Sequence, residues 1–379
     1  MKIFIGPDSL KGSISASKFC QIASQIIQDH WPEDEVIAIP LADGGEGTVE
    51  ALVEGRQGRY RELTVASALG IPIVTQYGLI DNDTVAVIEM ASASGLPLVP
   101  HSKRNPMKTT TYGTGEMILD ALKLGCKKII IGIGGSATND AGLGMMQALG
   151  FKCIDNKGRE IPFGGEGLIA LSQILPPADP LLCALIHQCE ILVACDVSNP
   201  LSGPQGSAHV YAPQKGADQA MVQILDQGLK NFSDCVLKDL NVNVTHLEGG
   251  GAAGGLGAGL FASLNAKLMP GFEIIRQLVD LDKVLQSGLD LVITAEGQMN
   301  EQSLNGKLPV ELAKLAKSYG LNTIAIVGSR EISFEEVKNK GLIGVFPIVN
   351  GPINLEEAIE NANNLIQETL IHVLSLMHQ

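Results

Sequence analysis

The run Thr323-Ile324-Ala325-Ile326-Val327 decides the fold class of this chain because it is apolar and rich in β-branched side chains. A continuous apolar run of this kind predicts a strand that is buried on both faces of a parallel sheet. Helix-like stretches separate such runs, as expected for alternating strands and helices. The same pattern recurs at residues 2–6, 36–40, 291–294 and 344–348. The sequence therefore predicts an α/β domain with a five-stranded parallel sheet, built from both ends of the chain.

The middle of the chain has a different pattern. Strands are expected at 61–65, 71–79 and 84–90 with no helix between them, and Asp81-Asn82-Asp83 predicts a hairpin turn. Helices are then expected near 115–124 and 142–149, with strands at 128–133 and 190–195. A length of 379 residues suggests two or three domains at about 150 residues each. We expect one domain from residues 1–62 plus 288–379, split around an inserted mixed α/β domain at 63–287.

Composition excludes several classes of function. The net charge of −14 argues against nucleic acid as a partner, since phosphate contacts need clustered Lys and Arg. No run approaches the roughly 18 apolar residues of a membrane helix. Hydrophobic residues make up 45% of the chain, enough for a large core. The chain is expected to act on a small molecule, and an anionic substrate would depend on a few local cations, helix N-termini and a metal.

The cysteines indicate a reducing compartment. All seven are scattered and none forms a Cys-x-x-Cys pair, so neither a disulfide framework nor a zinc site is indicated. The first apolar residues are too few for a signal-peptide core. We therefore expect a cytoplasmic protein.

Two short motifs combine glycines with acidic side chains. They are Ala42-Asp43-Gly44-Gly45-Glu46-Gly47-Thr48 and Ile133-Gly134-Gly135-Ser136-Ala137-Thr138-Asn139-Asp140, and each follows an expected strand. Glycine allows a backbone to approach a ligand and to point N–H groups at it. Carboxylates hold a metal or accept a proton. The motifs together indicate phosphate chemistry with a divalent cation.

Further polar residues follow the other expected strands. In an open parallel sheet, ligands bind beyond the carboxyl ends of the strands. Asp8, Ser9 and Lys11 follow the first strand, and Glu296 follows the third. For Asp8 or Asp43 alone, capping of a helix is an equally good interpretation. The set as a whole favours a ligand site.

A competing interpretation comes from the pattern Gly132-Ile133-Gly134-Gly135-Ser136-Ala137. It fits the Gly-x-Gly-x-x-Ala fingerprint, and Asp155 follows at about the spacing of a ribose-binding acid. This predicts a nicotinamide-dependent oxidoreductase of a small hydroxy acid. Against it, Thr138-Asn139-Asp140 is unusually polar for the start of such a helix, and Asp155 is equally well explained as a turn residue. The glycine-rich run 249–259 is interpreted as a helix that packs closely on a neighbour.

The ordered motifs make the chain resemble the bacterial glycerate kinase family along nearly its whole length. The motifs that carry the resemblance are those at 7–13, 42–48, 88–96, 111–116, 134–140, 195–197, 199–201, 213–217 and 249–259. The resemblance implies ATP- and Mg²⁺-dependent phosphorylation of D-glycerate, leaning toward 2-phosphoglycerate as product. It also implies a flavodoxin-like domain split around the inserted domain.

The expected site residues follow from these motifs. Asp43, Asp196 and Lys11 are the candidate catalytic residues, with Asp43 or Asp196 accepting the hydroxyl proton or binding magnesium. Lys11 and Lys307 would neutralise phosphate or the substrate carboxylate, and the 134–138 turn would offer N–H groups to phosphate. The candidate binding residues are Asp8, Ser9, Gly44, Gly45, Glu46, Thr48, Glu89, Gly134, Gly135, Ser136, Asn139, Asp140, Asn199, Glu296 and Lys307. The metal ligands and the oligomeric state stay open.

One loop departs from the family's pattern. The family's loop reads Glu-Gly-Arg-x-Asp-x-Gln-Ser/Thr-x-x-Gly-Lys, whereas Gln298 and Asn300 stand here at the Arg and Asp positions. If the Asp is catalytic, this chain is a weakened kinase or a metabolite-binding relative. If the Arg and Asp form a salt bridge, the two neutral replacements compensate for each other, and the paired change slightly favours this second account.

Overall fold

The computed structural model describes residues 1–45, 47–301, 303–304 and 306–378, with Phe334 described by its backbone alone. The strands are β1 Lys2–Ile5, β2 Glu35–Ala38, β3 Arg59–Ala66, β4 Pro72–Ile80, β5 Val85–Glu89, β6 Lys128–Gly132, β7 Lys152–Ile154, β8 Gln173–Leu175, β9 Glu190–Ala194, β10 Lys267–Met269, β11 Leu291–Met299, β12 Thr323–Arg330 and β13 Leu342–Pro347.

The α-helices complete the α/β pattern. They are α1 Ala16–His30, α2 Thr48–Gly55, α3 Ala91–Ser94, α4 Tyr112–Leu124, α5 Leu143–Ala148, α6 Gly167–Ala170, α7 Pro180–Gln188, α8 Ser207–Tyr211, α9 Gln219–Leu240, α10 Ala252–Leu264, α11 Gly271–Leu278, α12 Leu281–Leu285, α13 Leu308–Ser318, α14 Phe334–Lys338, α15 Leu355–Glu360 and α16 Ala362–Met377.

The first sheet is the five-stranded parallel sheet that the sequence predicts. Its order is β13-β12-β11-β1-β2, and its neighbouring strands pair in parallel. This is the flavodoxin-like order, in which the chain leaves the central strand β1 first to one side and later to the other. The expected fold class is confirmed. The order reverses between β1 and β11, and ligands bind at such a point in open α/β sheets.

The second sheet is mixed. Its order is β10-β9-β6-β5-β4-β3, with parallel pairing from β10 to β5 and antiparallel pairing along β5, β4 and β3. Asp81, Asn82 and Asp83 all have positive φ angles of 53° to 63°, so the expected hairpin turn joins β4 to β5. Residues with short polar side chains tolerate this conformation best.

Local sequence explains the first helix. Ser15 caps α1 by accepting a hydrogen bond from the Lys18 N–H, which satisfies one of the free donors of the first turn. Phe19, Ile22 and Ile27 recur at helical spacing and are buried in the core that covers one face of the first sheet. The helix therefore begins at Ala16, directly after this cap.

The chain separates into two compact units. The first comprises Met1–Asp43, Glu50–Gly55 and the chain from Phe272 onward, and the second comprises Gly44–Val49 and Arg56–Gly271. A boundary at residues 62 and 63 would cut β3, all of whose residues pair with β4. Strand pairing therefore places β3 wholly in the second unit, whereas the apolar pattern alone left its start in the first.

Candidate active site

In the first unit, Asp8 lies directly beyond the carboxyl end of β1. Its backbone N–H donates to the Ala295 carbonyl at 2.9 Å, which holds it beside the neighbouring strand β11. Its carboxylate is buried and accepts the Ser9 N–H at 2.7 Å. Burial, followed by the negative charge of Asp43, raises the pKa of Asp8 to about 7. The side chain is therefore poised to gain or lose a proton near neutral pH.

Glu296 is the second buried acid of this unit. The structure extends β11 to Met299, so Glu296 lies within the strand rather than after it. Its Oε1 is buried and has no hydrogen-bond partner among the described residues, while Oε2 lies 3.6 Å from Lys307 Nζ. Burial raises its pKa, and Asp43 adds to the effect. Asp8, Asp43 and Glu296, named here the acidic cluster, therefore form one electrostatic group.

The remaining predicted residues of the first unit are more exposed to solvent than Asp8 and Glu296. Ser9 and Asp43 are partly exposed and Lys11 is exposed. Lys307 occupies the N-cap position of α13, and its side chain does not cap the helix. The structure thus brings Asp8, Asp43, Glu296 and Lys307 together in the first unit. Glu46 lies outside the described residues.

The loop that departs from the family's pattern also lies in the first unit. Gln298 Nε2 donates to Glu331 Oε1 at 2.7 Å, and the Asn300 N–H donates to Ser303 Oγ at 3.2 Å. The carboxamide of Gln298 therefore has a partner on the segment that follows β12.

In the second unit, the Gly44 backbone is closely packed. Its φ is +88°, and a Cβ there would lie 2.5 Å from the Ala194 Cβ, so only glycine fits. Thr48 Oγ1 donates to the Gly45 carbonyl at 2.8 Å, and Glu89 Oε1 accepts the Val49 N–H at 3.1 Å. Thr48 and Glu89 thereby fix the first turn of α2.

The turn after β6 presents two exposed glycines. Gly134 and Gly135 are exposed, and a Cβ on Gly134 would meet nothing within 4 Å. Ser136 is buried beside them. The Ala137 N–H instead donates to the Ser94 carbonyl at 2.9 Å, so it is not available to a ligand in this arrangement. The backbone that can face an anion is therefore narrower than the 134–138 turn expected from the sequence.

Asn139 and Asp140 lie inside the protein. Both are completely buried, and Asp140 Oδ2 accepts hydrogen bonds from the Thr111 N–H at 2.8 Å and Thr111 Oγ1 at 2.9 Å. Burial raises the pKa of Asp140, while the hydrogen bonds from Thr111 oppose the rise. Thr138 Oγ1 and Asn139 Oδ1 are buried without a hydrogen-bond partner among the described residues.

Lys215, which was not among the residues predicted from the sequence, lies against the turn after β6. It ends a short 3₁₀ helix, Pro213–Lys215, and its Nζ donates to Ser136 Oγ at 2.6 Å and to the Thr138 carbonyl at 2.7 Å. Burial lowers the pKa of Lys215 to about 7, and the charge of Asp140 opposes this shift. The only sequence signal was its place in the motif at 213–217, because a contact across so many residues has no local periodicity.

Asp196 and Asn199 follow β9. Asp196 is exposed, and its Oδ1 accepts the Gly271 N–H at 3.0 Å. Asn199 donates through Nδ2 to the Gln205 carbonyl at 2.8 Å, while its Oδ1 accepts from the Tyr211 hydroxyl at 2.6 Å. Asn199 therefore shapes its own loop, whereas Asp196 is accessible to a ligand.

The dinucleotide fingerprint does not have its required setting. A Rossmann helix opens at the glycines themselves, but α5 begins only at Leu143. Asp155 accepts the N–H groups of Lys157 at 2.8 Å and Arg159 at 2.9 Å and pairs with the Arg159 guanidinium. These contacts identify Asp155 as a turn residue.

The expected close packing of the 249–259 run is present. A Cβ at Gly254 would lie 2.0 Å from the Thr138 carbonyl, and one at Gly259 would lie 2.2 Å from the Ala141 carbonyl. The glycines of α10 thus allow the backbone of residues 138–141 to approach.

The described residues contain neither a preformed metal cluster nor a membrane-spanning helix. No group of three or more His, Cys, Asp or Glu side chains is arranged to hold a metal ion by itself. No helix is both long and apolar enough to span a membrane. All seven cysteines are free thiols.

A flavodoxin-like sheet with acidic side chains at its switch point, in a chain that also has an exposed glycine turn, defines an α/β enzyme with the character of a phosphotransferase. The chain belongs to the glycerate kinase family, whose family model matches residues 3–378, and it is therefore a kinase. This confirms the resemblance drawn from the motifs.

Several proteins named glycerate kinase are similar to this chain over nearly its whole length. A Bacillus subtilis (strain 168) protein named glycerate kinase is 45% identical over 369 residues, covering 97% of this chain and 96% of its own. An Escherichia coli (strain K12) protein named glycerate 2-kinase is 44% identical over 363 residues, covering 96% and 94%. A crystal structure from Salmonella typhimurium LT2, provisionally named glycerate kinase 2, matches with a TM-score of 0.91 and 43% identity, covering 100% of this chain and 98% of that chain.

Proposed function

We propose that this protein transfers the γ-phosphoryl group of ATP to a hydroxyl of D-glycerate in the presence of Mg²⁺, with 2-phosphoglycerate as product. The observation that carries the proposal is the acidic cluster at the switch point of the first sheet, because buried carboxylates with raised pKa values need a cation or a proton to balance them. The Escherichia coli relative's name, glycerate 2-kinase, supports the position of transfer.

Phosphoryl transfer depends on positioning and on neutralising charge, since the protein does little covalent chemistry. In the proposed mechanism, Asp43 or Asp196 accepts the proton of the attacking hydroxyl. Lys11 and Lys307 neutralise phosphate oxygens or the glycerate carboxylate. Lys11 is exposed and Lys307 partly so, hence both amines can reach a small anion.

The acidic cluster fits a magnesium ion. Mg²⁺ prefers hard oxygen ligands and is usually held by one or two carboxylates together with substrate phosphates, so a complete protein cage is not required. Glu296 Oε1 is buried and has no partner among the described residues, as expected of an unused ligand atom. We assign Glu296 as a carboxylate that holds the ion, joined by Asp43 if Asp196 is the group that accepts the proton. The ion would neutralise charge on the transferring phosphate.

The turn at Gly134, Gly135 and Ser136 is proposed to bind a phosphate group of ATP. Its two glycines are exposed and leave the backbone open to an anion. Asn139 and Asp140 are buried below the turn, so we assign them to support rather than to direct contact. The free thiols agree with a reaction in the cytoplasm.

The direct test is NMR of the product formed from ATP, Mg²⁺ and D-glycerate by the purified protein. We expect the ³¹P resonance and its coupling to identify 2-phosphoglycerate, with ADP release that requires both glycerate and Mg²⁺. Formation of 3-phosphoglycerate would correct the position of transfer. Binding of glycerate without turnover would instead identify a catalytically weakened relative, and reduction of a nicotinamide cofactor would refute the proposed function.

A further inference from the structure

Lys215 is a buried cation. Its side chain is only 1% exposed and is among the largest fully buried side chains of the described chain. Lysine is rarely buried to this degree, because an ammonium group that leaves water must recover its lost hydrogen bonds inside the protein. The hydrogen-bond partners of Nζ therefore indicate the structural role of Lys215.

Both contacts go to the turn after β6. Nζ donates to Ser136 Oγ at 2.6 Å and to the Thr138 carbonyl at 2.7 Å, on either side of Ala137. An ammonium group has three donors, so two of the three are spent on this turn. Lys215 thus holds the segment that directly follows the exposed glycines.

Other contacts leave the turn little freedom. Leu96 N–H donates to the Gly135 carbonyl at 2.8 Å, and Thr109 Oγ1 donates to the Ala137 carbonyl at 2.7 Å. Gly254 packs against Thr138 so closely that no side chain fits between them. Among the described groups that hold the turn, Lys215 is the one that donates from a charged ammonium group.

The contact with Ser136 has a chemical consequence. A hydroxyl group has one donor hydrogen and two acceptor lone pairs. Since Ser136 Oγ accepts from Lys215, one lone pair is occupied and the hydroxyl hydrogen must point away from Nζ. This hydrogen is then available to an anion beside Gly134 and Gly135.

We propose that Lys215 is a positioning residue that orients the Ser136 hydroxyl and the Gly134–Ser136 backbone to bind a phosphate group of ATP. This inference rests on the proposed kinase function. The amine itself is buried and does not touch the ligand. It acts through Ser136 and Thr138.

The test compares ATP binding, measured by calorimetry without glycerate, with steady-state kinetics. Lys215→Met removes the donors but keeps a flexible side chain of similar length. We expect the Kd and KM for ATP to rise about tenfold or more, as for loss of a charge-assisted hydrogen bond, with kcat changed less than KM. Ser136→Ala should weaken ATP binding similarly. The double variant should bind ATP no less tightly than the single variant with the lower affinity, because both substitutions remove the contact between Lys215 and Ser136.

Lys238→Met is the matched control. Lys238 Nζ also donates to a carbonyl, that of Ser172, at 2.6 Å, but its side chain is exposed on α9. We expect this variant to bind ATP like the unmodified chain.

The outcomes separate the two proposals. If the unmodified chain does not bind ATP, the proposed function fails and this inference fails with it. If it binds ATP and Lys215→Met lowers only the melting temperature, the function stands and the positioning role is refuted. Should Lys215→Met not fold, Ser136→Ala decides the matter, since unchanged ATP affinity in that variant overturns the proposal.

Discussion

The acidic cluster of the first unit and the turn of the second unit balance their buried charges differently. Asp8, Asp43 and Glu296 repel one another, and Glu296 Oε1 lacks a partner among the described residues. Asp140, by contrast, accepts several hydrogen bonds and lies in the field of Lys215. Among the described residues, the negative charges of the acidic cluster are not balanced by hydrogen bonds to every carboxylate oxygen. The buried carboxylate of Asp140, in contrast, is stabilised by hydrogen bonds within the protein. This difference agrees with the proposal made above, in which the acidic cluster binds the ligand and reacts while the buried residues behind the turn support it.

Asp140→Ala should give the largest effect, and it should fall on stability. The change leaves the Thr111 N–H, the Thr111 hydroxyl and the Lys215 ammonium without their buried acceptor or counter-charge. Each buried donor that loses its acceptor costs about 1–3 kcal/mol. Urea unfolding followed by circular dichroism measures the loss.

Asp179→Ala provides the control for that measurement. Asp179 also accepts a backbone N–H, from Leu181 at 2.9 Å, but it is an exposed N-cap of α7. Its loss should cost about 1 kcal/mol. Equal losses in the two variants would show that the turn is not the more tightly balanced region.

Asp43→Asn tests the reactive side of the comparison. We expect kcat and kcat/KM to fall together by about a hundredfold or more, which is the usual size of a general-base contribution, with little change in stability. Asp29→Asn, which changes an exposed acid on α1, should leave turnover unchanged. Turnover like that of the unmodified chain in Asp43→Asn would return Asp43 to a helix-capping role.

The raised pKa of Asp8 predicts a pH-dependent stability. Its pKa is about 7 in the folded chain and near 3.8 when unperturbed, so between these values the folded state binds more protons than the unfolded state. Stability must then fall as pH rises through this window, by up to about 1.4 kcal/mol per pH unit. Asp8→Asn lacks this titration, so the difference in unfolding free energy between the unmodified chain and the variant should show the slope from about pH 4 to 7.

Magnesium sharpens this prediction. A bound cation beside the acidic cluster favours the charged form of a carboxylate, so Mg²⁺ should flatten the slope in the unmodified chain. The same titrations repeated with Mg²⁺ and with EDTA measure the effect. A slope that is flat without magnesium would mean that the acidic cluster is not under electrostatic strain.

The sequence was sufficient to predict the fold, and it predicted the position of one candidate residue, Asp8, beyond the first strand. Apolar runs such as 323–327 predict the parallel sheet because burial on both faces leaves a local signature. The placement of Asp8 follows from the end of β1, which is also a local signal, whereas Glu296 lies inside β11, because this strand runs on to Met299. The support of the turn by Lys215 and Asp140 could not be predicted, since it depends on contacts between distant residues. Burial of Asn139 and Asp140 was missed for the same reason.

The smallest effects are expected at the loop that departs from the family's pattern. Because Gln298 already donates to Glu331, Gln298→Arg should pair with Glu331 at this exposed site and stabilise the chain by about 0.2–1 kcal/mol. In a double-mutant cycle of Gln298→Arg with Asn300→Asp, a salt bridge between the two new side chains would appear as a coupling of about 0.5–3 kcal/mol. A second cycle, of Gln298→Arg with Glu331→Gln, measures the coupling of position 298 to Glu331. If position 298 couples to Glu331 and not to position 300, the salt-bridge hypothesis is wrong, and the side chain at 298 pairs with the segment after β12 instead. A sharp rise in kcat from Asn300→Asp by itself, with nothing added by Gln298→Arg, would instead show that the missing carboxylate is catalytic and that this chain is a weakened kinase.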